Sequence, residues 1–334
     1  MTTTPTHIPT IAITLGDPGG IGPEVIVKAL ADERRRMKAK YVIYGLDGPL
    51  QDAAKAAKIA PFWSTHLNTQ VALIDYSKAV GTDAFPATHN ARGGKLSAQL
   101  CEAAILHARD PGQAPFPKGQ KIDAIVTGPI SKESWALAGW HYPGHTELFA
   151  ERFETHEFGM FFASQKLKVI LATIHIPLAK VPSFLSTDRV LRAICLGHDA
   201  CQRLGIASPR IAVAGVNPHA GENGLLGREE KLIIEPAILQ ARQSDIDVRG
   251  PFPGDTIFLS ALQGKYDLVV AMYHDQGLIP VKLLCRDEAV NVTVGLPIIR
   301  TSPDHGTGFD IAGKNKADPG SMASAIDLAI KMWR

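Results

Sequence analysis

At 334 residues, 45% of them apolar and 20% charged, the chain has the make-up of an ordinary globular protein with room for two domains. Its formal net charge of +2 excludes the broad basic field of a nucleic-acid-binding surface. No apolar stretch approaches the roughly 18 residues of a membrane helix. The opening MTTTPTHIPT has no secretory pattern and the four cysteines form no CxxC pair, so free thiols in a reducing cytoplasm are expected.

From the N-terminus onward, β-rich runs alternate with longer helical ones, the pattern of an α/β fold. Strands are expected at 11–15, 40–45, 70–75, 123–128, 167–176, 210–216 and 267–273. Helices are expected at 23–32, 95–109, 146–153, 187–205, 228–243 and 321–333. Several of the strands are apolar without alternation, which suits parallel strands covered on both faces. The first strand leads into GDPGGIGPE, 16–24, where glycines permit tight turns and Pro23 suits a helix start. This is neither GxGxxG nor a P-loop, and on spacing alone a structural turn explains it as well as a ligand contact does. No repeat and no clean linker divides the chain, which favours a domain completed by both termini.

Three of the expected strands end in histidine: His175 in ILATIHIP, His219 in AVAGVNPHAGE and His274 in VVAMYHDQG. Ligands of open parallel sheets gather outside the carboxyl ends of the strands. Any one of these histidines is more simply a structural residue. Three in the same topological position make a candidate site for Zn²⁺, Co²⁺, Ni²⁺ or Mn²⁺, with coordination positions left for substrate. Asp275 is placed to orient an imidazole. His7, His66, His89, His107, His141, His156 and His198 belong to no motif and read as surface or packing residues.

Near the other end, RTSPDHGTGFDIAGKNKADPGS, 300–321, concentrates Gly, Asp, Ser and Thr around one His. Such a loop offers backbone amides and short side chains to a nucleotide. The early GDPGGIGPE and this late segment resemble the paired motifs of isocitrate and isopropylmalate dehydrogenases, which bind NAD(P) in a non-Rossmann α/β fold. Over nearly its whole length the chain resembles more closely a sister family, the 4-hydroxythreonine-4-phosphate dehydrogenases of pyridoxal phosphate biosynthesis. The resemblance is carried by GDPGGIGPE (16–24), TGPISK (127–132), GHTE (144–147), HIPL (175–178), NPHAGENGLLGREE (217–230), YHDQGLIPVK (273–282) and VNVTVGLPIIRTSPDHGTGFDIAG (290–313). Gly19 and Gly308 stand where that family usually has alanine, and neither departure removes a functional group.

The resemblance implies an isocitrate/isopropylmalate dehydrogenase-like fold, with two α/β domains and an active-site cleft between them. Residues 1–130 and 288–334 would form the nucleotide-binding domain, and 131–287 the metal, substrate and dimerisation domain. It implies a homodimer in which both subunits contribute to each metal site. One divalent ion (zinc, magnesium, cobalt or similar) falls to His175, His219 and His274. The substrate falls to His145, Thr146, Lys282, Asn291 and Arg300. NAD or NADP falls to Asp304, His305, Gly306, Thr307, Asp310, Ile311, Ala312 and Gly313. Thr146 also reads as the N-cap of its helix, a position that favours phosphate or carboxylate.

The implied reaction oxidises 4-phosphohydroxythreonine to 2-amino-3-oxo-4-(phosphooxy)butanoate, which loses CO₂ to give 3-amino-2-oxopropyl phosphate. Lys282, Asp275 and Asp255 are the candidate general bases, with Lys282 slightly preferred. Three other readings stay open at this point. They are a paralogous dehydrogenase of D-threonate or D-erythronate 4-phosphate, a three-histidine metal-dependent hydrolase, and a non-catalytic binding module.

Overall fold

The computed structural model describes residues 8–81, 84–116, 120–285 and 288–333. His7 and the stretch MTTTPTH lie outside them. In chain order the strands are β1 (Thr10–Thr14), β2 (Lys40–Gly45), β3 (Val71–Asp75), β4 (Ala124–Thr127), β5 (Gly159–Ala163), β6 (Lys168–Leu171), β7 (Ile211–Ala214), β8 (Val248–Phe252), β9 (Leu268–Ala271), β10 (Val290–Val294) and β11 (Ile299–Pro303). Two compact units share them. The first takes the described residues up to His156 and those from Leu296 onward, so both ends of the chain build it; the second is Glu157–Gly295.

In the first unit the strands run β3-β2-β1-β4-β11, and their pairings are parallel. Every residue of β1 is buried, as are Tyr41 to Gly45 of β2 and all of β4. That two-sided burial is why these runs show no polar alternation. Helices Gly22–Leu30, Asp47–Ala57, Ala91–Arg109 and Gly320–Trp333 belong to this unit. The long helix was expected from residue 95 but begins four residues earlier. Asn90 caps it, its side chain accepting from Gly93 N–H at 2.7 Å. The pair Gly93-Gly94 reads as a breaker in sequence. Here Gly94 permits a close helix crossing, since a Cβ on it would strike the Ser134 carbonyl.

In the second unit the order is β10-β5-β6-β9-β7-β8. β5 is antiparallel to both β10 and β6, while β6, β9, β7 and β8 pair in parallel. Its core gathers Phe162, Val169, Leu171, Ala214, Ile257, Val269, Leu278 and Val281. Three expectations are corrected here. β5, β8, β10 and β11 were not foreseen, because the runs are short and three of them contain Gly or Pro. The strand expected over 167–176 stops at Leu171. His274 is followed not by a turn but by helix His274–Cys285, despite Gly277 and Pro280 within it. Gly277 is what lets this helix lie close on β6 and β9. A Cβ there would sit 2.7 Å from Leu171 Cδ2, 2.8 Å from Val169 Cγ1 and 3.1 Å from Ala271 Cβ.

The tight crossing at Gly94 predicts that Gly94→Ala destabilises the fold by about 1–3 kcal/mol through overpacking. Gly48→Ala, where an added Cβ meets nothing within 4 Å, should leave stability unchanged or raise it by about 0.5–1 kcal/mol. Urea unfolding of the two variants beside the parent checks both.

Candidate active site

The pairing of β6 with β9 aligns Leu171 with Ala271. The ladder continues past the strands, with Ala172 N–H donating to Ala271 O at 2.8 Å and the Thr173 hydroxyl to Met272 O at 2.7 Å. Two residues beyond that last pair, at equal offsets, come His175 and His274. Their ring centroids are 5.6 Å apart. Asp275 meets His274 Nδ1 at 2.7 Å. With the Nδ1 proton donated to that carboxylate, Nε2 presents its lone pair, the usual arrangement behind a metal-binding imidazole.

Gln276 holds the neighbouring strand ends together. Its side-chain oxygen accepts from Met272 N–H at 2.7 Å, and its amide donates to Gly215 O, also at 2.7 Å. Sequence reasoning quoted YHDQG without giving Gln276 a task. Its place after β9, beside the end of β7, is what defines one.

His219 comes five residues after the end of β7, in a segment of irregular backbone. It opens a run, His219 to Asn223, in which all five residues have positive φ (54°, 51°, 75°, 41° and 59°). For the four that are not glycine such a conformation costs roughly 1–2 kcal/mol each, and strain of this kind persists only where the surroundings enforce it. Glu230 supplies that enforcement. Its carboxylate is 3% exposed and accepts from Val216 N–H (2.9 Å), Asn217 N–H (2.8 Å) and the Asn217 side chain (3.0 Å). Among the described residues of this chain, no three His, Cys, Asp or Glu side chains form a group able to hold a metal ion. The structure brings His175 and His274 together and sets His219 apart from any such group.

The other expected residues of the second unit lie as follows. Lys282 is exposed two turns along the helix from His274, and Asp255 is exposed just before helix Ile257–Leu262. Asn291 is on β10, its side-chain oxygen buried with no hydrogen-bond partner among the described residues. A buried amide oxygen without a partner marks a place where a ligand donor fits.

In the first unit, Arg300 on β11 is 2% exposed. It donates to the Thr127 hydroxyl at 2.6 Å and lies 5.7 Å from the Phe149 ring centroid. Burial pushes its pKa down to about 10, which leaves it charged at neutral pH. His145 opens helix His145–Arg152, with its Nε2 buried and unpartnered. Burial holds this imidazole well below its ordinary pKa, and the charges of Arg300 and Lys132 act in the same direction. It is therefore neutral at pH 7. Lys132, at the end of TGPISK, is a cation that sequence reasoning did not assign. Thr146 is not the N-cap: that position is Gly144, in extended conformation, and no side chain caps the helix. Thr146 sits in the first turn, buried.

The early and late loops of this unit touch, with Ile21 N–H donating to Thr307 O at 2.8 Å. Beside them a cavity of about 540 Å³ opens, lined by Pro18, Gly19, Gly20, Leu46, Pro49, Phe85 and others. From the expected cofactor set, Ala312 and Gly313 line it, whereas Asp304, His305, Gly306, Thr307, Asp310 and Ile311 do not. The glycines and small apolar side chains of this wall suit a flat, partly apolar nucleoside. At Gly19, where the resembled family usually has alanine, the Pro86 carbonyl occupies the space of a Cβ. Asp17, fully buried beneath the same turn, was also missed. It accepts from Gly19 N–H at 3.1 Å, and burial raises its pKa.

The first unit thus carries a buried cation and a glycine-walled cavity, and the second carries a pair of imidazoles. Residues 31–329 match the model of the family described as pyridoxal phosphate biosynthetic protein PdxA. The 4-hydroxythreonine-4-phosphate dehydrogenase of Beijerinckia indica is 43% identical, covering 96% of this chain and 94% of that one. The D-threonate 4-phosphate dehydrogenase of Salmonella typhimurium is 45% identical over 97% of this chain and 98% of its own. A crystal structure of the 4-hydroxythreonine-4-phosphate dehydrogenase from Klebsiella pneumoniae superposes with a TM-score of 0.81 at 40% identity, over 98% of this chain and 100% of that one. The chain belongs to the PdxA family. It is an oxidoreductase with the isocitrate/isopropylmalate dehydrogenase-like fold. The hydrolase and the non-catalytic module fall away with that membership.

Two predictions follow from this geometry. Glu230→Ala leaves two part-buried amides, those of Val216 and Asn217, without their acceptor and should destabilise the second unit by about 2 kcal/mol, read as a lower unfolding midpoint. Because His145 resists protonation when folded, the unfolded chain binds the extra proton as pH falls below 6.5, and stability should decline on that side. His145→Gln should make the decline shallower in unfolding measured from pH 7.5 to 5.5.

Proposed function

We propose that this enzyme oxidises the 3-hydroxyl of 4-phosphohydroxythreonine with NAD or NADP, in a reaction that depends on a divalent metal ion. The observation that carries the reading is the imidazole pair His175 and His274, set 5.6 Å apart with Asp275 orienting one of them. Two nitrogen donors from neighbouring strand ends fit a borderline divalent ion but leave it under-coordinated. His219 is assigned as the third donor, shared across a homodimer. What supports a dimer built on the second unit is its exposed aliphatic side chains, among them Leu225 (78%), Leu283 (80%) and Leu232 (62%), which a self-complementary contact would cover.

When bound there, the ion supplies Lewis acidity that lowers the pKa of the coordinated hydroxyl. The chain's own residues do the rest. Arg300, kept charged in its buried site, and neutral His145, with an open Nε2, hold anionic oxygens of the substrate together with Thr146. Asn291 receives a substrate donor at its unpartnered oxygen. Lys282 is assigned to accept the hydroxyl proton, because Asp275 is engaged in orienting His274; Asp255 is the remaining candidate. The cavity beside the early and late loops takes the nucleotide, with Asp304, His305, Gly306, Thr307, Asp310, Ile311, Ala312 and Gly313 as its loop. A nicotinamide held there would supply the hydride acceptor, and the resulting β-keto acid would lose CO₂ to give 3-amino-2-oxopropyl phosphate.

A second substrate, D-threonate 4-phosphate, is favoured by the similarity to a relative of that name, 45% identical. Both substrates share the phosphate, the carboxylate and the 3-hydroxyl, and they differ in an amino group or a hydroxyl at carbon 2. Initial rates of nicotinamide reduction with each, and with NAD⁺ and NADP⁺ in turn, decide between them. Chelation and His219→Ala should each abolish turnover, with the circular dichroism of the variant unchanged. Full turnover by the chelated enzyme would remove the metal from the reaction.

A further inference from the structure

We propose that Asp52 makes the nucleotide cavity select the free adenosine ribose of NAD over the 2′-phosphate of NADP. This deepens the proposed function and rests on its reading of the cavity as the nucleotide site. The strand order of the first unit sets the direction in which a dinucleotide lies. Arg300 is on β11 and its partner Thr127 on β4, while the cavity wall from Leu46 to Ala56 follows β2 and Ser77 follows β3. β2 and β11 are three strand spacings apart, about 14 Å at ~4.8 Å per strand. The nicotinamide has to meet the carbon of a substrate anchored near Arg300. The adenosine end is therefore left at β2 and β3.

At that end the wall carries the carboxylates Glu24 and Asp52 and, among the described residues that line it, no lysine or arginine. Glu24 is already balanced. Lys28 sits 2.8 Å from its Oε1, which also accepts from Ala317 N–H at 2.7 Å. Asp52, on the helix Asp47–Ala57, has no hydrogen bond or ion pair among the described residues and faces the cavity with its charge uncompensated. Lys55, one turn further along the same helix, makes no ion pair with it among the described residues. Lys314 donates to Asp310 O at 2.6 Å, and Arg92 lies 4.1 Å from the Phe85 ring centroid with its Nη2 on Val80 O. A lone carboxylate accepts hydrogen bonds from a ribose diol and repels a dianionic phosphate in the same place.

NADH and NADPH binding, followed by nicotinamide fluorescence without any substrate, tests this directly. The parent protein should bind NADH at least about tenfold more tightly than NADPH, and Asp52→Asn should cut that ratio about tenfold. Asp52→Arg should favour NADPH. Asp52 is exposed on a helix surface, so both variants should keep the parent unfolding midpoint. Equal affinities in the parent, or a ratio that Asp52→Asn does not move, would overturn the assignment of Asp52 while leaving the cavity as the nucleotide site. Failure of either nucleotide to bind the parent would overturn the reading of the cavity itself, and this proposal with it.

Discussion

The parallel ladder between β6 and β9 is the constraint on which the candidate active site depends. It brings together two histidines 99 positions apart by fixing Leu171 against Ala271 and carrying the hydrogen bonds on to Thr173 and Met272. A slip of one residue would turn each strand's inward side chains outward, and the imidazoles would part. Val169, Ile170, Val269 and Val270 are all fully buried, and the hydrogen bonds from Ala172 N–H to Ala271 O and from the Thr173 hydroxyl to Met272 O carry the observed register past the strand ends.

Around this ladder, side chains with no part in the chemistry itself set the positions of those that have one. The four residues after β9 divide the work: His274 faces the site, Asp275 selects its tautomer, Gln276 ties β9 to the end of β7, and Gly277 lets the helix settle on the sheet. Glu230 does for His219 what Gln276 does for His274, but against resistance. It anchors Val216 and Asn217, the residues that lead into the left-handed run. A structural carboxylate buried under a strained loop is a common signature of a side chain whose position matters more than its stability.

The first unit solves a different problem, that of keeping charge inside a protein. Arg300 is buried against Thr127 and Phe149, and the neighbouring His145 gives up its proton rather than add a second charge. Both chain ends contribute to the same surface, since the turn after β1 and the loop after β11 meet at Ile21 and Thr307. The buried Arg300 lies on β11, and the cavity wall follows β2 and β3, at the other side of this unit's strand order.

Much of this was legible in the chain itself. Unbroken apolar runs announced buried parallel strands, and two of the histidines that follow such runs, His175 and His274, lie side by side. The lack of a clean linker favoured a domain completed by both termini, and the first compact unit takes described residues from both sides of the second. What depended on partners far along the chain was not legible. The short strands β5, β8, β10 and β11 exist because neighbours complete them. The helix start at Ala91 and the helix through Gly277 exist because small residues are needed where backbones cross. Gly144 rather than Thr146 opens its helix, and Lys132, Gln276 and Glu230 acquire their tasks only once distant strands lie side by side. Local pattern reports what a segment prefers; which groups face one another is decided by pairing and burial, which no single segment contains.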